Sequence, residues 1–87
     1  MGAGIVFTLY SRGYCHLCHD MLAELGVMRA TFAFDIEVVD VDSDPDLEAR
    51  FGELVPVLFH QARELARYRL AAPALEAYLA SVTGTAA

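Results

Sequence analysis

The order of apolar and polar positions divides the chain into short blocks, each with its own period. IVFTLY, Ile5 to Tyr10, is β-branched and aromatic and apolar on both faces. So short a continuous run predicts a strand buried in the middle of a sheet. SRG follows as a turn. From Cys15 onward the period becomes helical: Cys18, Leu22 and Leu25 recur on one side with Met21 beside them, and Asp20 and Glu24 lie on the other. This predicts an amphipathic helix that begins at or near Cys15 and ends between Gly26 and Ala30.

FDIEVVDVD, Phe34 to Asp42, predicts a second strand. SDPDLEARFG carries the grammar of a helix start. Ser43 or Asp44 caps, Pro45 fits the first turn, Asp46 and Glu48 complement the positive helix end, and Gly52 supplies the stop. VPVLFH, Val55 to His60, predicts a third strand opened by a proline. QA makes a tight connection, and RELARYRL predicts a shorter, more polar fourth strand at an edge. Pro73 starts a last helix in which Leu75, Leu79 and Val82 share a face, with Tyr78 nearby. The order is β-α-β-α-β-β-α. Its βαβ start implies a parallel pair with a right-handed crossover, and its last two strands an antiparallel hairpin. The expected fold is α/β, a mixed four-stranded sheet flanked by helices, in one domain over residues 1–87 with 83–87 as a frayed tail.

Composition narrows the classes. The chain is 87 residues long, 56% hydrophobic and 21% charged, so it reads as one small globular domain. A net charge of −6, with six arginines and no lysine, argues against nucleic acid or anionic membrane as partners. No apolar run approaches the ~20 residues of a membrane span. No basic residue precedes the first apolar run, which is too short for a secretory core, so a cytoplasmic protein is expected. In that compartment a lone cysteine pair is more often catalytic or metal-binding than a structural disulfide. The alternating acids of DVDSDPDLE suggest a calcium loop. With Asp40 first, however, Pro45 and Phe51 fall where an EF-hand needs Gly and Glu, and helix capping accounts for the acids instead.

The candidate chemistry sits in SRGYCHLCHD, Ser11 to Asp20, which holds both cysteines of the chain. Cys15 falls at a helix N-terminus, where free N–H groups and the dipole favour a thiolate. Cys18 lies one turn on and on the same face, aligned with the apolar positions. A disulfide between the two is geometrically reasonable, with Cys15 attacking and the more buried Cys18 resolving. A structural staple is a weaker reading, because so short a loop offers only ~2 kcal/mol. Zinc would draw four ligands, and only His16, His19 and the distant His60 accompany the pair, so no metal ligand is assigned. Two other classes remain open: an iron–sulfur or zinc carrier using one pair per chain in a dimer, and an interaction module whose cysteines are incidental. His16 is placed to stabilise the Cys15 thiolate as an imidazolium or a hydrogen-bond donor, or else is a solvated helix-start residue. Tyr14 is placed to wall the site, Arg12 to pair with a substrate carboxylate or else to stand as an exposed turn residue, and His19 and His60 are read as surface residues.

FTLYSRGYCHLC at the front, VVDVDSDP in the middle and VPVL afterwards give the chain a resemblance to the glutaredoxin-like branch of the thioredoxin-fold superfamily. In particular it resembles the small proteins once grouped as a domain of unknown function. The resemblance runs from about Phe7 to Leu79. It implies a thioredoxin-like fold, thiol–disulfide oxidoreductase activity and no resident cofactor. The implied partners are protein or small-molecule thiols and disulfides, with glutathione as co-substrate or a thioredoxin-type reductant, acting on a monomer. It also implies that Pro56 is cis across from the cysteines, leaving the Val55 N–H and C=O to pair with an extended thiol substrate. Two departures stand out. Glutaredoxins carry Gly-Gly and an Asp after strand four, where this chain reads YRLAAPALE, and His16-Leu17 replaces their Pro-Tyr between the cysteines.

Overall fold

The computed structural model describes residues 4–83. Its elements are β1 (Val6–Ser11), α1 (His16–Met28), β2 (Asp35–Asp40), α2 (Pro45–Phe51), β3 (Val57–His60), β4 (Arg63–Arg67) and α3 (Ala72–Thr83), with a 3₁₀ turn at Val41–Ser43. The strands form one sheet in the order β2-β1-β3-β4. β1 runs parallel to β2 and antiparallel to β3, and β3 and β4 form the antiparallel hairpin. This is the expected α/β architecture, with β4 at an edge. Of the segment 83–87 read as a frayed tail, Thr83 closes α3 and 84–87 lie outside the described residues.

Two apolar layers hold the sheet. On one face Phe7 and Leu9 of β1 and Leu58 of β3 meet Met21, Leu25 and Met28 of α1 and Leu75 and Leu79 of α3. Each fully buried side chain of this size contributes roughly 1.5–3 kcal/mol. On the other face Val57 meets Val41 and Phe51, and Tyr10 stacks on Phe51 with ring centroids 4.3 Å apart. The second layer is smaller because α2 is short. Seven residues of helix reach about 10 Å, half the length of a six-residue strand. β1 is therefore not buried on both faces throughout, and Val6 is exposed at the end α2 does not reach.

Other sequence expectations shift by a residue or a turn. The core stripe of α1 is Cys18, Met21, Leu25 and Met28, a 3-4-3 spacing, and Leu22 turns outward. Val82 also faces out, at the end of α3. β2 stops at Asp40 because that residue's carboxylate accepts the Asp42 N–H at 2.9 Å and its carbonyl accepts the Ser43 hydroxyl at 2.7 Å, which curls the chain into the 3₁₀ turn. β4 stops at Arg67 because Tyr68 takes a positive φ of 69°. Asp44 caps α2 by accepting the Asp46 N–H at 2.8 Å, with Pro45 in the first turn. His60 is not a surface residue. It is half-buried, its Nδ1 pairs with the Tyr78 hydroxyl, and its ring packs edge-on against Phe7.

Candidate active site

The C-terminal end of β1 delivers the cysteines. After Ser11 the chain turns through Arg12, Gly13 and Tyr14, and the Cys15 N–H donates to the Arg12 carbonyl at 3.2 Å. Cys15 is extended and serves as the N-cap of α1, its Sγ accepting the Cys18 N–H at 3.1 Å. No acidic residue lies in the first turn of α1 to oppose an anion there. Cys15 and Cys18 form a disulfide, with α-carbons 5.2 Å apart. Their environments differ: Cys15 is half-buried, whereas Cys18 is only 2% exposed within the α1 stripe. Cys15 is thus the more accessible residue of the pair.

At the same end of the sheet, Val55 and Pro56 lead into β3 through a cis peptide bond. The register sets Val57 opposite Tyr10, which brings this bend level with the end of β1. Among the described residues, the Val55 N–H and C=O take no hydrogen-bond partner, while the Pro56 carbonyl accepts the Tyr68 N–H at 2.9 Å.

The remaining candidates divide. His16 has a side chain 89% exposed, and its Nε2 lies 3.6 Å from Asp20 Oδ2 one turn along the helix. Tyr14 is 77% exposed, with the Arg12 guanidinium 5.7 Å from its ring centroid. Arg12 is not a solvated turn residue. Its Nε donates to Asp42 Oδ1 at 3.1 Å and its Nη2 to Glu48 Oε2 at 2.9 Å, and its side chain is 17% exposed. Partial desolvation pulls its pKa down, but the hydrogen bond to Glu48 and the charge of Asp42 prevail and raise it. Among the described residues no group of three or more His, Cys, Asp or Glu side chains is arranged to hold a metal ion.

Two features escape the sequence reading. By sequence Asp42 ends the second strand and Glu48 is a helix-start acid, yet both grip Arg12. The signal lay in the parallel pairing: β1 and β2 in register set Ser11 beside Asp40, which brings the following residues of both strands together. The second feature is a groove of about 350 Å³ along α1, lined by Leu17, Asp20, Met21 and Glu24 of that helix and by Tyr68 and Arg69 after β4. Tyr68 lines it from a left-handed backbone, a conformation uncommon outside glycine.

Comparison with known proteins agrees with this geometry. Protein Ne2328 from Nitrosomonas europaea, solved by NMR, is 35% identical, with 86% of this chain and 91% of that one covered and a TM-score of 0.77. Protein XcR50 from X. campestris is 38% identical, with 86% and 96% covered and a TM-score of 0.64. A malarial protein, 18% identical over 88% of this chain and 94% of its own, shares the fold at a TM-score of 0.62. No curated protein matches. A family model described as Glutaredoxin-like domain (DUF836) matches residues 6–80, the span that carries the whole sheet, both cysteines and the cis Val55–Pro56 bend, and the chain belongs to that family.

Proposed function

We propose that this protein is a thiol–disulfide oxidoreductase in which Cys15 is the nucleophile and Cys18 the resolving thiol. The observation that carries this is the asymmetry of the pair: one cysteine half-buried at a helix N-terminus, the other fully buried in the helix's core stripe. In the reduced protein the Cys15 thiolate attacks a sulfur of a target disulfide. The target's S–S bond breaks, one target thiolate leaves, and a mixed disulfide with Cys15 forms. Cys18 then loses its proton and attacks the Cys15 sulfur, which expels the second target thiolate and closes the Cys15–Cys18 disulfide. Two electrons pass to the target, and a dithiol or two monothiols restore the protein to its reduced form.

The helix N-terminus and the Cys18 N–H stabilise the Cys15 thiolate as nucleophile and as leaving group. The unpartnered Val55 backbone beside Pro56 supports pairing with an extended segment of the target, a one-residue strand addition next to Cys15. Tyr14 supplies an exposed aromatic wall, and His16 an exposed imidazole between the cysteines. The partners are protein or small-molecule thiols and disulfides, re-reduced by glutathione or a thioredoxin-type protein. The protein acts as a cytoplasmic monomer without a resident cofactor. Among the described residues no helix is long and apolar enough to cross a membrane.

The test is a redox equilibrium against glutathione buffers, read by alkylation and mass, combined with reduction of a protein disulfide under a dithiol supply. A Cys15–Cys18 couple that cycles, and a Cys18→Ser variant that captures a target through Cys15, are the expected results. A pair that never turns over a disulfide, or a purified protein carrying iron or zinc, would sink the reading.

A further inference from the structure

The turn that presents Cys15 is fastened from outside itself. Arg12 sits at its start, and the Arg12 carbonyl receives the Cys15 N–H at 3.2 Å. The same residue's guanidinium reaches past the end of the sheet. Its Nε is 3.1 Å and its Nη2 3.0 Å from Asp42 Oδ1, and Nη2 is 2.9 Å from Glu48 Oε2. Asp42 belongs to the 3₁₀ turn after β2 and Glu48 to α2, so one side chain ties the cysteine turn to two elements on the far side of β1. It is largely covered there, while its neighbours Gly13 and Tyr14 are exposed.

Gly52 leaves the room for this arrangement. A Cβ at that position would come 2.5 Å from the Glu48 carbonyl, 2.9 Å from Glu48 Oε2 and 3.0 Å from Arg12 Nη2. The backbone of Gly52 has an ordinary helical φ of −53°, so the glycine answers to close approach and not to conformation. Any larger residue would press on both the carboxylate and the guanidinium.

We propose that Arg12 is a positioning residue for Cys15, and not a receptor for a substrate carboxylate. Resting on the oxidoreductase reading, this adds what holds the nucleophile. Two effects operate together. The forked guanidinium fixes the turn whose carbonyl anchors the Cys15 N–H, which sets Cys15 Sγ against the Cys18 N–H; a lysine cannot reproduce that planar grip. The guanidinium also pairs with two carboxylates at the end of the sheet that carries the cysteine turn, and left unpaired these would disfavour ionisation of the thiol as like charges do. With its donors directed at Asp42 and Glu48, Arg12 is engaged before any substrate arrives.

The experiment compares the full-length chain with Arg12→Gln, Arg12→Lys, Gly52→Ala and the triple variant Arg12→Gln/Asp42→Asn/Glu48→Gln. Three quantities are read: the pH midpoint of Cys15 alkylation, the redox equilibrium with glutathione, and kcat and KM on a neutral and a carboxylate-bearing small disulfide. Arg12→Gln should raise the alkylation midpoint by about one unit. It should favour the disulfide by about tenfold, or ~30 mV if the thiol pKa alone sets the couple. It should lower kcat on both substrates alike. Arg12→Lys should recover the midpoint but not kcat, and the triple variant should recover the midpoint because the acids leave with the arginine. Gly52→Ala, with Arg12 still present, should move the midpoint and kcat in the same direction as Arg12→Gln, and the recovered midpoint of Arg12→Lys guards against an Arg12 variant that does not fold.

A loss confined to KM for the carboxylate-bearing disulfide, with midpoint and equilibrium unchanged, would make Arg12 a substrate receptor and overturn the proposal. Unchanged values throughout would overturn it as well. Failure of the oxidoreductase reading looks different: the unaltered chain turns over neither disulfide, yet Arg12→Gln still moves the Cys15 midpoint.

Discussion

At the scale of single residues, the two cysteines are chemically alike and differ only in where the helix places them. Cys15 caps α1 and is half-exposed; Cys18 lies in its buried stripe. In the reduced protein Cys15 should therefore alkylate near neutral pH at least tenfold faster than Cys18, measured by peptide mapping after a timed quench. Faster modification of Cys18 would reverse the assigned roles. His16 is the nearest rival explanation for a reactive Cys15. Its side chain, however, is largely in solvent and directed at Asp20. His16→Ala is accordingly expected to change the redox equilibrium by less than threefold, under ~15 mV. A tenfold change would assign the thiolate's stabilisation to the imidazole and not to the helix terminus. The burial of Cys18 was legible in the sequence because a Cys-x-x-Cys on an amphipathic stripe already tells which cysteine turns inward. The engagement of Arg12 was not, since its partners lie thirty and more positions away in the chain.

At the scale of elements, local chemistry decides where each one starts and stops. Asp44 accepts the Asp46 N–H and Pro45 sets the first φ, so α2 begins where SDPDLE predicted. Removing that cap by Asp44→Ala should destabilise the fold by ~1 kcal/mol, read as a lower urea midpoint at unchanged slope. The Cys15–Cys18 equilibrium should stay where it is. A loss much above 2 kcal/mol would mean that Asp44 does more than cap. Strand ends were harder to read. RELARYRL is uniformly mixed in polarity, so nothing in it announces that the ladder breaks at Tyr68, where the backbone turns left-handed and its N–H crosses to the Pro56 carbonyl. Likewise VVDVDS looks like continuing strand, and only the Asp40 side chain and carbonyl, each taking a partner within three residues, fold it into a turn. Leu22 was misplaced for a related reason. Met21 and Leu22 are both apolar, and the choice between them is made by the 18-21-25-28 spacing that meets the sheet.

At the scale of the whole molecule, the charge and the ends of the sheet together constrain the substrate. Glutathione is an anionic tripeptide with two carboxylates, and this chain carries a net charge of −6. The cation that the turn offers, Arg12, already faces Asp42 and Glu48. After β4, the Gly-Gly and Asp that hold the γ-glutamyl end in glutaredoxins are replaced by YRLAAP, and Tyr68 and Arg69 line a groove with Leu17, Asp20 and Glu24. On the proposed function, what remains for the tripeptide is pairing of its cysteinyl backbone with Val55. Each missing charge-assisted hydrogen bond weakens binding by ~1.5–3 kcal/mol, roughly ten- to a hundredfold. One peptide should therefore be prepared with its cysteine blocked either by glutathione or by a small neutral thiol, and the two reduced under the same dithiol supply. The neutral mixed disulfide is expected to turn over with the equal or higher kcat/KM, and added salt to narrow the gap by screening repulsion between anions. If the glutathionylated peptide reacts tenfold faster, Arg69 or another cation has rebuilt the site. Arg69→Gln on that substrate would then locate it by raising KM alone.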